Sequence, residues 1–200
     1  MLEQLFWIIL GYLVGSVSWG LIIGKKFFNI DIREHGSGNL GGTNAGRVLG
    51  RNVGHLVIHL DGLKTFLMML LCHLLKNDCE IICGLAVCIG HCFPLFAQFR
   101  GGKAVACSYG FLLGLACFIH HEFLFTLIIP MCVYFAVKYL IGYVSLASML
   151  SVLSGGLLIT IFVSRKTGLM VLLLALFVIY RHRANIQRLI QGTEPKVNKK

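Results

Sequence analysis

The chain has 200 residues, of which 57% are hydrophobic and only 13% charged, and its mean hydropathy is +0.82. That composition excludes an ordinary soluble globular domain. A membrane-spanning helix takes ~20 apolar residues, so five to seven of them occupy roughly 100 to 140 positions and leave little for a separate soluble domain.

The sequence therefore predicts an all-α, polytopic integral membrane helix bundle, a single domain over 1–200 with a short basic tail at 181–200. The net charge of +10, from 18 Lys and Arg against 8 Asp and Glu, would suggest nucleic acid in a soluble chain. Here its placement follows the two sides of a membrane, and no nucleic-acid partner is expected. Cys72, Cys79, Cys83, Cys88, Cys92, Cys107, Cys117 and Cys132 fall mostly in apolar runs, with no C-x-x-C pair and no metal-ligand spacing. They read as small apolar fillers, so neither a metal nor a disulfide framework is expected.

Apolar runs give predicted spans at 3–24, 53–75, 80–98, 104–120, 122–141, 143–163 and 168–180. Seven transmembrane helices are expected, with five as the alternative, because several runs are short or weakly separated. The first run carries Glu3 and no basic leader, so it reads as a retained span rather than a cleaved signal.

Between the first two spans lies Asp31-Ile-Arg-Glu-His-Gly-Ser-Gly-Asn-Leu-Gly-Gly-Thr-Asn-Ala-Gly-Arg47. Glycine lets backbone come close to a guest, and successive N–H groups can form an anion nest. Ser37, Asn39, Thr43, Asn44 and Arg47 supply hydroxyl, amide and guanidinium groups around Gly38 and Gly41, which together suit a phosphate. The alternatives are a flexible linker and, through Gly36, Gly38 and Gly41, a dinucleotide loop that no βαβ unit accompanies.

In the second span Asp61 and Lys64 are three apart and share a helix face. A structural intramembrane pair is expected; an ion pathway is the functional rival. The third span ends in Gly90-His91, with Pro94, and runs into Arg100-Gly-Gly-Lys103. There Gly101 and Gly102 free the backbone, and Lys103, placed at the start of the next helix, adds an ammonium to free N–H groups. The competing reading of Lys103 is a positive-inside interface lysine. His91 reads as a helix-end histidine. The last span is expected to continue into water through Tyr180-Arg-His-Arg-Ala-Asn-Ile-Gln-Arg-Leu-Ile-Gln-Gly-Thr-Glu194. His182 and Asn185 would then share a face, with a basic stop-transfer segment as the alternative.

Lys25, Lys26, Arg33, Arg47, Arg51, Arg100, Lys103, Arg181, Arg183, Arg188, Lys196, Lys199 and Lys200 all fall on one side if the N-terminus is outside and the span count is odd. The other side receives Glu3, Asp78, Glu80 and Glu122, with Lys76, Arg165 and Lys166 as exceptions. The three polar loops are thus expected on the cytoplasmic face. No internal repeat supports an alternating-access transporter.

At these loops the sequence resembles the bacterial integral-membrane glycerol-3-phosphate acyltransferases that use acyl phosphate, the PlsY family. The resemblance covers most of the chain. Its specific pieces are Gly15-Ser16 and Gly20, Ser37-Gly38-Asn39 with Gly41 and Thr43-Asn44 before Arg47, Leu60-Asp61 with Leu63-Lys64, Gly90-His91 with Pro94, Gly101-Gly102-Lys103, and His182-Arg183 with Asn185-Ile186 and Arg188-Leu189.

The resemblance implies seven transmembrane helices in a bacterial cytoplasmic membrane and a cytoplasm-facing site. It also implies transfer of a fatty acyl group from acyl phosphate to the sn-1 hydroxyl of glycerol 3-phosphate, without a cofactor. Ser37, Arg47, Lys103, His182 and Asn185 would hold glycerol 3-phosphate. Gly38, Asn39, Gly41, Thr43, Asn44, Gly101 and Gly102 would cradle acyl phosphate and phosphate. Membrane lipids and the enzyme that makes acyl phosphate are the expected partners. Either His182 or the substrate's own phosphate would take the hydroxyl proton. Ser18 stands where the family commonly has proline, Gly42 for alanine, Arg100 for lysine, Ala104 for glycine and Cys107 for threonine.

The rival from another class is a small anion or phosphate transporter with a basic vestibule. His73-Leu-Leu-Lys-Asn-Asp78 matches the His-x4-Asp pattern of unrelated thioester-using acyltransferases, but it lies at the external end of a span without their downstream phosphate motif.

Overall fold

The structure, a computed structural model, describes residues 2–197; Lys199 and Lys200 of the basic tail lie outside them. Among the described residues there are helices and turns but no strand. Contacts divide the chain into two compact units, one through Gly114 and one from Leu115.

The first unit holds α1 (Leu2–Ser16), α2 (Trp19–Phe28), α3 (Gly42–Val48), α4 (Arg51–Leu74), α5 (Glu80–Cys92), a 3-10 turn at Leu95–Ala97 and α6 (Val105–Gly114). Helix–helix association in lipid lacks a hydrophobic drive and depends on close backbone approach over small residues. That is how α1 meets α5: a Cβ at Gly11 would lie 2.8 Å from the Cys83 carbonyl oxygen, and one at Gly15 would overlap Val87. Helices α3 and α4 cross in the same way, with Gly54 against Gly46 at 2.6 Å for an added Cβ. Under the first loop, Ile32, Leu40, Ala45, Val57 and Ala97 form a buried apolar floor.

The second unit contains π-helical turns at Leu115–His120 and Leu124–Ile128, then α7 (Ile129–Leu140), α8 (Val144–Phe162), α9 (Arg165–Arg181) and α10 (Arg183–Ile190). Helix α8 packs on α7 and on α9. Its Ser148 and Thr160 hydroxyls donate to the carbonyls of Val144 and Gly156, 2.8 and 2.7 Å away, so the polar atoms are satisfied within the helix. Leu173 and Leu176 of α9 stay exposed, as helix faces turned to lipid must.

Four helical segments are long and apolar enough to cross a membrane: Leu2–Phe28, Arg51–Leu74, Glu80–Ala97 and Val144–Phe162. The pair Arg165–Arg181 and Arg183–Ile190, bent by 61°, makes a fifth when taken as one span. Val105–His120 and Leu124–Leu140 are apolar but shorter. The predicted runs are largely helical, and helix length and composition alone identify four or five crossings, which agrees with the five-span alternative; seven would require the two shorter apolar segments to cross as well. The difference lies in the runs at 104–120 and 122–141, whose helices are interrupted by π-turns and fall below the ~20 residues that a bilayer core demands.

Candidate functional site

The first loop is built around Asn44, which is buried on α3 at 1% exposure. Its Nδ2 donates to the carbonyls of Ile32 and His35 at 2.9 and 3.1 Å, and its Oδ1 accepts the Ser37 N–H at 2.8 Å. Asn44 is therefore spent on holding the loop's own backbone. Gly36 and Gly38, at φ of +61° and +68°, make the reversal that a Cβ would strain. The Ser37 side chain is left exposed at the crest. Thr43 and Arg47, one helical turn apart on α3, are exposed together on the face opposite Asn44 and Ala45.

Asp31 opens the loop. It accepts from the Arg33 main-chain N–H at 3.0 Å and from Arg33 Nη2 at 2.6 Å, and Lys25 approaches at 3.2 Å. Hydrogen bonds from Arg33 hold the Asp31 carboxyl well below the usual carboxylate range, against a smaller opposing effect of burial. Arg33 also reaches the Ala97 carbonyl at 3.4 Å.

The two loops of the first unit are tied directly. Asn39 Nδ2 donates to the Gly101 carbonyl at 3.2 Å, and Asn39 Oδ1 accepts the Gly41 N–H at 3.0 Å. Gly101 and Gly102 are buried, and the Gly102 N–H donates to the His91 carbonyl at 3.0 Å. Lys103 is half-buried and does not open the next helix, as the sequence suggested. Ala104, at φ +58°, intervenes and its carbonyl receives the first helical bond, from Ser108 at 2.7 Å.

Asp61 and Lys64 form the expected pair, at 2.9 Å and almost fully buried. Lys64 Nζ also donates to the carbonyls of Gly15 and Val17 at 3.1 and 2.8 Å. Those carbonyls sit at the break between α1 and α2, so the ammonium supplies bonds that the interrupted helix lacks.

In the second unit the tail is not one continuous helix. The chain bends at His182, whose Nδ1 donates to the Val178 carbonyl at 2.8 Å. Facing a carbonyl, Nδ1 must carry the proton, which makes Nε2 the acceptor in the neutral ring. Asn185 is buried and donates through Nδ2 to Glu194 Oε1 at 2.6 Å. The same carboxylate accepts from Ser145 Oγ and Arg188 Nε, each at 2.7 Å. Burial pushes the Glu194 carboxyl up, but the bonds from Asn185, Ser145 and Arg188 outweigh it and leave the group below its ordinary value.

A family model described as glycerol-3-phosphate acyltransferase matches residues 5–192. The chain belongs to the glycerol-3-phosphate acyltransferase family. Relatives bearing that name in Bacillus velezensis and Bacillus subtilis are each 48% identical to it, and one in Geobacillus kaustophilus is 47% identical. Each match spans 95% of this chain and 94 to 95% of the relative. Among solved structures, the integral membrane glycerol 3-phosphate acyltransferase PlsY is similar in its glycerol 3-phosphate form, with a TM-score of 0.87. Its lysophosphatidic acid form gives 0.85. Both are 33% identical, and the match covers 98% of this chain and 96% of PlsY. The transporter alternative finds no support in these relatives.

Four residues that organise these loops are not among the site residues that the sequence predicts. Asp31 and Arg33 sat in a string of polar residues without a distinguishing pattern. Glu194 lies nine residues beyond Asn185, across a turn that helical periodicity does not register. His91 has the sequence pattern of a helix-end residue, and only the fold places its carbonyl against Gly102.

Proposed function

We propose that the chain transfers a fatty acyl group from acyl phosphate to the sn-1 hydroxyl of glycerol 3-phosphate, giving lysophosphatidate and inorganic phosphate. Family membership supports the acceptor and the reaction class. The observation that carries the site reading is the Asn39 to Gly101 bond, which joins two glycine-rich loops bearing Ser37, Arg47 and Lys103. Such a backbone-lined surface suits phosphate oxygens. Glycerol 3-phosphate is mostly a dianion near neutral pH, since the second pKa of a phosphate monoester is ~6.

Arg47 and Lys103 supply cations to it, Ser37 a hydroxyl, and Gly38, Asn39, Gly41, Thr43, Gly101 and Gly102 line the acyl-phosphate cradle; Asn44 acts by holding the loop. His182 and Asn185, which the family resemblance assigns to glycerol 3-phosphate, belong to the second unit. The substrate hydroxyl oxygen attacks the acyl carbonyl carbon, the bond from that carbon to the phosphate oxygen breaks, and phosphate leaves. Acyl phosphate is already an activated anhydride, so orientation and stabilisation of negative charge suffice without a protein nucleophile. The unprotonated His182 Nε2 or the substrate's phosphate receives the hydroxyl proton.

We place the protein in the bacterial cytoplasmic membrane, N-terminus outside and C-terminus inside, because the basic loops then face the cytoplasm, and we expect the enzyme that makes acyl phosphate as a partner there. The test supplies purified protein with glycerol 3-phosphate and, in turn, acyl phosphate, acyl-CoA or acyl carrier protein. Lysophosphatidate is expected with acyl phosphate and without added metal. Equal or faster turnover with a thioester donor rejects the donor assignment. Arg47→Ala and Lys103→Ala are each expected to lower kcat/KM by roughly 100-fold or more, as for loss of a desolvated charge-assisted contact.

A further inference from the structure

Three ionisable side chains that acyl transfer does not use lie together in the apolar interior of the first unit. Asp61, Lys64 and His91 have side-chain exposures of 2, 5 and 5%. An ammonium has three protons, and Lys64 faces three oxygens within 3.1 Å: those of Gly15, Val17 and Asp61. His91 Nδ1 stands 3.2 Å from Lys64 Nζ and 3.4 Å from Asp61 Oδ1. His91 Nδ1 therefore meets both members of the pair, and these two contacts orient the ring from one edge.

The far edge of that ring is pressed against the second loop. A Cβ built on Gly102 would collide with His91 Nε2, and one on Gly101 would collide with the His91 carbonyl oxygen. The same carbonyl accepts the Gly102 N–H at 3.0 Å. His91 thus meets Gly102 with both its main chain and its imidazole, one residue before Lys103.

We propose that His91 is a positioning residue for the anion-binding loop Gly101-Gly102-Lys103, with Asp61 and Lys64 aligning its ring. An ion pathway would need mobile partners, whereas each lysine proton here already has an oxygen, two of them main-chain carbonyls. The proposal rests on the reading of this loop as part of the glycerol 3-phosphate site.

The test measures kcat, KM for glycerol 3-phosphate, calorimetric affinity for glycerol 3-phosphate and thermal unfolding in detergent. It compares wild type with H91N, H91A, G102A and H91A/G102A. H91N keeps a donor toward Asp61, and folded H91N is expected to raise KM and the dissociation constant roughly tenfold, with a smaller change in kcat. G102A is expected to raise KM, and H91A/G102A to recover part of that loss because the truncated ring makes room for the new methyl group.

Wild-type KM and affinity in folded H91N, with only a lower unfolding temperature, would overturn the proposal. So would fold-changes that simply multiply in the double variant. Wild-type protein that neither binds nor acylates glycerol 3-phosphate overturns the substrate reading itself, and that result is distinguishable because it precedes any substitution.

Discussion

Asn39 spans two loops that are 62 residues apart in sequence, donating to the Gly101 carbonyl while accepting the Gly41 N–H. Its amide has one end for each loop, so neither aspartate nor alanine can replace it. Asn39→Ala leaves two main-chain groups without partners, at about 1–3 kcal/mol per group. Because both loops border the proposed phosphate site, kcat/KM for glycerol 3-phosphate is expected to fall roughly 10- to 100-fold. Asn39→Asp is expected to be worse, since a carboxylate would face the Gly101 carbonyl oxygen. Kinetics of either variant close to wild type would show that the loops act independently.

The buried Asp61 and Lys64 pair predicts a non-additive pattern. Lys64→Met strands the Asp61 charge and the Gly15 and Val17 carbonyls, and removing one partner of a buried pair costs about 3–5 kcal/mol. D61N/K64M removes both charges and is expected to be no less stable than K64M alone. Unfolding of the purified variants in mixed micelles checks this; penalties that sum would mean that the two charges are not coupled.

Much of this was legible because apolar runs and glycine-rich loops are local signals. The runs at 53–75 and 143–163 correspond to α4 and α8 within two residues, since length and hydropathy define both. The spacing of Asp61 and Lys64 likewise announced their shared face. What escaped depends on contacts distant in sequence. Asn39 and Asn44 both read as phosphate ligands, and only the fold shows that their amides join loop to loop and loop to helix. The continuous helix expected through 181–194 failed at His182, where a side chain bonded to Val178 accompanies a bend that no proline or glycine marks.

Asp31 gives the loop an acid limit. A carboxyl held below its ordinary value contributes stability that is complete above the unfolded value, ~3.9 for Asp, and is lost as pH falls through the lower folded value. The difference in unfolding temperature between wild type and Asp31→Asn is therefore expected to stay constant from neutral pH to about 5 and to shrink below about 4. A gap that already closes between pH 7 and 5 would mean that Arg33 and Lys25 do not hold Asp31 in solution.

Ala104 occupies left-handed backbone at φ +58°, immediately after Lys103. An L-residue there costs about 1–2 kcal/mol, part of which glycine returns through its greater freedom in the unfolded chain. Ala104→Gly is accordingly expected to stabilise the protein by up to about 1 kcal/mol and to leave the reaction unchanged in kind. A lower unfolding temperature for this variant would count against a left-handed residue at the entrance to α6.

Glu194 draws Asn185, Arg188 and Ser145 onto one buried carboxylate. All three partners are donors, so the group facing them must be acceptor-only. Glu194→Gln replaces one acceptor oxygen with an NH2 and confronts at least one donor with another. Bonds to charged groups are worth about 1.5–3 kcal/mol each, so this substitution is expected to lower the unfolding temperature by several degrees. Since a carboxylate obliges Asn185 to turn Nδ2 toward it, the amide loses its fixed orientation as well, and kcat/KM should fall even at temperatures where the variant remains folded. Ser145→Ala removes one donor and leaves the other two in place, so its effects should be smaller in both measurements. Equal damage from Ser145→Ala and Glu194→Gln would locate the requirement in the packing of α8 rather than in the orientation of Asn185.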